Sequence, residues 1–291
     1  MSLQSPEQSL APPNKEFSVG GEGFTHKKEG SPINQDNYFL YKDNQGVLDG
    51  VSGPGGEIAA QIGKEVLKSK MGHLPMVTHS KQETQWVYGS LRRIFKAADK
   101  EIHKKSQSMH QAIDTTACAS HIFRNHEGEL EAAITGVGDS RVYIFRDGVL
   151  NQLTIDDGII KRDYPNNTKE VQRKFNNVHY AELELSPKAQ ETYRKRNIIL
   201  DSLGNGKANP TLYSMKLKQG DILFFSTDGV HDNLTDNELE KALKEGKSAQ
   251  EIVMMALERS RKLDKIETRK DLKGRAKNDD KTCMIIEISK A

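Results

Sequence analysis

Two cysteines in 291 residues, Cys118 and Cys283, are too few for a disulfide framework. Both lie in apolar, strand-like runs, TACASHIF and KTCMIIEI, which suit reduced core thiols, so a reducing cytoplasm is the expected compartment. No apolar run approaches bilayer length, and no membrane span is expected. Charge is lopsided in neither direction: 43 Lys and Arg face 41 Asp and Glu, which removes any global drive toward nucleic acid or anionic membrane. Electrostatic preference must therefore be local. The first residues, MSLQSPEQSLAPPNKE, have neither the basic start nor the apolar centre of a signal peptide. Their Ser, Gln and Pro give residues 1–16 the composition of a disordered lead-in. No repeat of solenoid or propeller period is present.

From Phe17 onward, short apolar runs alternate with longer helical ones. Strands are predicted at 38–41 and 46–48, around the turn-forming Asp43-Asn44-Gln45-Gly46. Helices are predicted over 57–71, with Ile58, Ile62 and Val66 on one face, and over 83–104, with Val87, Leu91, Ile94, Phe95, Ala98 and Ile102 on one face. Four strands follow, at 115–123, 130–136, 141–146 and 150–154, with connections short enough to suggest antiparallel neighbours. Residues 156–197 are polar and read as an irregular excursion from the core. A buried strand is predicted at 221–227, helices at 236–244 and 250–263, and a last strand at 281–288; Thr235 with Glu238 and Ser248 with Glu251 have capping-box spacing. Antiparallel strands interrupted by helical blocks indicate an α+β fold, most simply a β-sandwich with helices outside.

The stretch VLDGVSGPGGE, Val47 to Glu57, crowds glycines behind one aspartate. A P-loop would need Lys-Ser/Thr after the last glycine, where Glu57 and Ile58 stand. A two-residue Asp-Gly hairpin would need a strand directly after it, which Ser-Gly-Pro-Gly-Gly cannot form. Other aspartates also stand at strand ends: Asp36 before one, Asp139 and Asp228 after others, Asp279 and Asp280 before the last. Hard divalent cations such as Mg²⁺ or Mn²⁺ take carboxylate and carbonyl oxygens, and Asp49, Asp228 and Asp279 can supply such a set from separate strands. Gly50, lacking a Cβ, can turn its carbonyl toward the same ion. The competing reading is that aspartates simply favour turns. Asp147-Gly148 in FRDGVL is assigned to that class, as a hairpin turn.

The ordered motifs NQDNYFL (34–40), LDGVSGPGG (48–56), DTTACASHIF (114–123), AAITGVGDSRVYIF (132–145), LDSLG (200–204), GDILFFSTDGVHDNLTDNEL (220–239) and NDDKTCMII (278–286) resemble the metal-dependent PPM/PP2C protein phosphatases. The resemblance implies a four-layer α-β-β-α sandwich of two antiparallel sheets flanked by helices, spanning residues 17–291, with 156–197 as a flap-like insertion. It implies hydrolysis of phosphoserine and phosphothreonine by a hydroxide bridging two Mn²⁺ or Mg²⁺ ions, with no catalytic side chain of the protein. Residue by residue, Asp49 matches the bridging carboxylate and Gly50 the carbonyl donor. Asp228 and Asp279 match the carboxylates on the other ion, and Asp36 one acting through coordinated water. Asp139 matches the position that, with Asp228, holds a weaker third ion. The implied partners are phosphorylated proteins, with no nucleic acid and no membrane, and a monomer is expected.

Several positions depart from the family pattern. Ser31 stands where an arginine usually clamps the substrate phosphate, five residues before Asp36, and Lys27 and Lys28 are the candidate substitutes. Gln35 stands where glutamate is common, and Val51 where many animal members have histidine. His231 in TDGVHD reads as packing. Ser31 and Val51 motivate one alternative, a catalytically weak PP2C-like module that binds phosphorylated or regulatory partners; a phosphatase for a small phosphorylated metabolite is a further alternative. The run from Arg259 to Lys277 holds nine basic residues against three acidic ones. It reads as a solvated helix end and loop, with attraction of acidic phosphopeptides as the sharper alternative.

Overall fold

A computed structural model describes residues 17–51, 53–261 and 275–290. The lead-in 1–16 and most of the basic run, 262–274, lie outside the described residues. The strands form two five-stranded sheets among the described residues, with every pairing antiparallel. One sheet has the order β1 (Phe17–His26), β10 (Lys281–Lys290), β9 (Ile222–Ser226), β6 (Arg141–Arg146) and β7 (Val149–Gln152). The other runs β2 (Asp36–Tyr41), β3 (Asn44–Val51), β4 (Asp114–Arg124), β5 (Leu130–Val137) and β8 (Thr211–Lys216).

The inner strands of both sheets, such as β4, β5 and β9, are covered on both faces, which is why they read as nearly continuous apolar runs. Alternation along a strand sends successive side chains to different cores. Val47, Cys118, Leu223, Phe225, Met284 and Ile286 fill the space between the sheets. Their neighbours Leu48, Ala117 and Ala119 face α1 (Gly56–Met71) and α2 (Lys81–Met109). On the other side Phe224, Cys283 and Ile285 face α8 (Asp236–Lys244) and α9 (Ala249–Arg261). The four-layer α-β-β-α sandwich is thus formed, and both cysteines are buried free thiols.

Local signals set the helix ends. Ser80 caps α2 by accepting from the Glu83 N–H, and Thr235 with Glu238 forms a full capping box on α8. Ser248 and Glu251 exchange the same pair of bonds, at 2.8 and 3.3 Å, at the start of α9. Asp147-Gly148 is the tight turn between β6 and β7, as expected.

Two expectations need correction. The short link Gly138-Asp139-Ser140 does not join neighbouring strands: β5 belongs to one sheet and β6 to the other, so the chain changes layers there. Residues 156–197 are not irregular. They form α3 (Ile159–Asp163), α4 (Thr168–Asn176), α5 (Ala181–Glu184) and α6 (Pro187–Arg194), packed around their own core of Ile160, Phe175, Val178, Ala181, Leu185 and Tyr193. Some of the polar residues that disguised these helices face solvent, while Thr168, Gln172, Asn176 and Thr192 are buried beside the apolar core.

Candidate metal centre

The two sheets meet at one end in a cleft of about 220 Å³, lined on its floor and walls by Asp49, Gly50, Asp139, Asp228, Lys277 and Asp279. Each carboxylate arrives by a different route. Asp36 opens β2 and is the register partner of Asp49 on β3, so pairing of these strands sets two carboxylates side by side. Asp139 stands at the corner where the chain changes sheets. Asp228 starts α7 (Asp228–His231), a single turn directly after β9, and Asp279 lies just before β10. The first pair belongs to one sheet and the last to the other.

Two glycines permit this convergence. A Cβ on Gly50 would overlap the backbone of Gly56, so the chain leaving Asp49 can double back into α1 only without one. A Cβ on Gly229 would likewise overlap the carbonyl of Asp280, so only glycine lets the turn carrying Asp228 lie against the approach to β10. Hydrogen bonds then tie the sheets together. The Thr227 hydroxyl donates to Asp36 Oδ2 at 2.7 Å and accepts from the Thr282 N–H at 3.0 Å. Asp280 accepts from the N–H groups of Lys28 at 2.6 Å and Gln35 at 2.8 Å, fixing the loop before Asp36.

So many buried acids disfavour full ionisation. Burial first, and then the charge of Asp280, raises the Asp36 carboxyl well above the usual range. For Asp49, burial is reinforced by Asp36, Asp228 and Asp279. Burial and Asp228 do the same to Asp139, and burial also raises Asp228. Asp36 Oδ1 and Asp228 Oδ1 are buried without a hydrogen-bond partner. Among the described residues, no three acidic, histidine or cysteine side chains stand in a closed ligand arrangement. The ammonium of Lys277 stands among them instead, donating to Asp228 Oδ2 and lying 2.9 Å from Asp279 Oδ2. Burial works against this charge, but Asp228, Asp232 and Asp279 more than offset it and hold the lysine pKa well above its ordinary value.

The donor chemistry fits hard divalent cations. Every candidate donor is a carboxylate or carbonyl oxygen, two of the carboxylate oxygens are buried without a donor, and the clustered negative charge asks for a multivalent counter-charge. Asp49, Gly50, Asp139, Asp228 and Asp279 line the cleft, and Asp36 lies beside Asp49. The two lysines singled out in sequence separate. Lys28 lines the cleft, 3.8 Å from Asp279, whereas Lys27 is not among the lining residues and directs its ammonium to the Pro32 carbonyl at 3.5 Å. Ser31 turns its hydroxyl onto the Ile33 carbonyl. Gln35 donates to the Gly53 carbonyl at 2.6 Å, closing the glycine-rich loop.

Residues outside the acidic set also shape the site. His231 is buried, bonded to the Ser226 hydroxyl at 2.9 Å, and held well below the usual imidazole pKa by burial and by Arg141, so it is a packing residue with a partner. Arg275, at the end of the basic run, is not a surface charge. It is buried and donates to the carbonyls of Phe175 at 2.9 Å, Val178 at 3.2 Å and His231 at 2.5 Å, tying residues 156–197 to the turn that carries Asp228. Arg141 grips Asp156 at the other end of that segment, at 2.7 and 3.0 Å. The roles of Lys277, Asp280 and Arg275 were hidden in sequence, where a charge run beside a loop reads as solvated. The signal available was three acidic or amide residues bracketed by lysines in KNDDK, immediately before an apolar strand.

The protein phosphatase 2C family profile matches residues 22–267. The chain is 25% identical over 223 residues to the serine/threonine phosphatase stp of Listeria monocytogenes, covering 75% of this chain and 80% of that one. Its fold is similar to that of the serine/threonine phosphatase Stp1 from Staphylococcus aureus, with a TM-score of 0.70 at 19% identity over 99% of this chain and 100% of that one. It is also similar to the catalytic domain of PstP in complex with two manganese ions, with a TM-score of 0.68 at 19% identity, covering 94% and 99% of the respective chains.

Proposed function

The chain belongs to the protein phosphatase 2C family and is a metal-dependent serine/threonine phosphatase, and from that premise we propose how its cleft carries out the hydrolysis. The substrates are phosphoserine and phosphothreonine in proteins. Asp49, the Gly50 carbonyl, Asp228 and Asp279 would hold two Mn²⁺ or Mg²⁺ ions, Asp36 would support them from beside Asp49, and Asp139 with Asp228 would offer a weaker third position. The observation that carries this reading is the meeting of acidic side chains from two separately hydrogen-bonded sheets, with Asp36 Oδ1 and Asp228 Oδ1 buried and without donors. When bound, such ions lower the pKa of water toward neutrality and neutralise phosphoryl charge.

The protein's own residues do the rest. Lys28, at the edge of the cleft, places an ammonium where the substrate phosphate arrives and takes over part of the duty of the absent arginine. Among the described residues no histidine lines the cleft and His231 is committed to Ser226, so no imidazole of theirs is placed to protonate the departing seryl or threonyl oxygen. The test is hydrolysis of a phosphothreonine peptide and an aryl phosphate by the folded protein, with EDTA and with Mn²⁺. Turnover only with Mn²⁺ is expected. Turnover of neither substrate by metal-loaded protein would favour a binding module instead.

A further inference from the structure

Deeper in the cleft than Lys28, the ammonium of Lys277 stands directly on the acidic cluster. Lys277 is held at its backbone: its N–H donates to Asn233 Oδ1 and its carbonyl accepts from Asn233 Nδ2, both at 2.9 Å. Asn233 in turn follows the α7 turn and also donates to the Gly229 carbonyl at 2.8 Å. The anchor therefore sits beside Asp228, and the lysine side chain reaches from it to one oxygen of Asp228 and one of Asp279. Those two residues are the pair assigned above to a single ion. Oxygens that accept from an ammonium are not free to coordinate, and a divalent ion beside an ammonium in a buried site is strongly repelled.

We infer that Lys277 is a tethered cation occupying the position of the ion that Asp228 and Asp279 would bind, so that metal loading requires its side chain to swing out. This rests on the reading of Asp228 and Asp279 as ligands. The lysine supplies counter-charge to the acidic cluster in the metal-free protein, and the same contacts lower the affinity of that position for metal.

Calorimetric titration of the full chain with Mn²⁺ tests this, comparing wild type with Lys277→Met, Lys277→Gln and Asp49→Asn. Both Lys277 variants are expected to bind Mn²⁺ more tightly by about tenfold or more, the factor carried by one charge-assisted hydrogen bond, and to melt at lower temperature without metal. Unchanged or weaker Mn²⁺ binding in the variants would overturn the inference. A second measurement needs no variant: amine-reactive labelling of wild type, read by mass spectrometry, should show Lys277 becoming more reactive when Mn²⁺ is added, with exposed Lys241 as reference. Labelling of Lys277 that stays constant or falls overturns it as well. If wild type binds no Mn²⁺, or Asp49→Asn binds it undiminished, the metal-site reading itself fails and the inference falls with it.

Discussion

The α-carbon of Gly229 rests against the backbone carbonyl of Asp280, leaving no space for even a methyl group between the turn after β9 and the approach to β10. Asp228 and Asp279 are neighbours because of this contact. Gly229→Ala is therefore expected to force the two segments apart, with a loss of about 2 kcal/mol or more, at the upper end of an overpacking substitution. Denaturant unfolding of wild type and variant measures the loss. A variant of unchanged stability would show that the contact is soft.

Asp49→Asn and Asp228→Asn should each abolish hydrolysis while preserving the fold. In the metal-free state Asp49→Asn should be no less stable than wild type, because it removes one charge from a crowded, buried set, whereas Asp228→Asn takes a counter-charge from the buried Lys277 ammonium and should lose stability. Circular dichroism with a phosphopeptide assay separates the two effects, and substantial activity in either variant would refute the ligand assignment.

The same crowding predicts a pH dependence. Asp36, Asp49, Asp139 and Asp228 all have carboxyls raised above the ordinary 3.8, chiefly by burial. A raised folded value means that the native state binds these protons more tightly than the unfolded chain does. Their contribution to stability is full below the ordinary value and is lost as pH climbs through the raised ones. Asp232 does not mask this: burial raises it, but Arg196 and Lys277 more than offset burial and hold it below the ordinary range, so it acts only at more acid pH. In EDTA these carboxyls should lower the Tm progressively as pH rises above the ordinary 3.8, and saturating Mn²⁺ should flatten the profile. Buried His231, held below the ordinary imidazole value, works in the opposite direction, so the fall is read as the difference between wild type and Asp49→Asn; identical profiles for the two would contradict the assignment.

Lys28→Ala should raise KM for a phosphopeptide by roughly three- to tenfold with kcat little changed, the signature of lost phosphate binding at a half-exposed site. Lys27→Ala should leave both unchanged, since Lys27 is not among the residues lining the cleft. Equal effects of the two substitutions would mean that only the overall charge of the loop matters.

Arg275→Met should destabilise the fold by about 2–4 kcal/mol, since three buried carbonyls lose a charged donor. Hydrogen exchange should quicken over 168–179 before it does in the sheets. Unaltered exchange there would show that Arg141–Asp156 and the local core suffice to hold the segment.

Much of the sandwich was legible because its strands are buried on both faces and its long helices carry clean apolar stripes: α8 and β6 lie where periodicity put them. β1 was not legible, because FSVGGEGFTH has three glycines and no sustained alternation. It is a strand because it pairs along its whole length with β10. β8 was hidden in the same way, as an edge strand with half its side chains in solvent. Strand-end aspartates signalled the acidic cluster, since a carboxylate after an apolar run needs a reason. Lys277 and Arg275 were misread because sequence shows charge but not burial, and a basic run beside a loop is solvated far more often than it is folded inward.

The origin of the acids in two different sheets has a mechanical consequence. Among the described residues no backbone hydrogen bond of the ladders crosses between the layers, so at the mouth of the sandwich the halves are joined by side chains such as Thr227 and Asp36, while like charges push them apart. A divalent ion gripped from both sides would act there as a rivet through the seam. Loading would then stiffen the whole edge of the molecule, and a strain that prised the layers apart by a fraction of an ångström would be felt first as loss of metal, well before any strand unpaired.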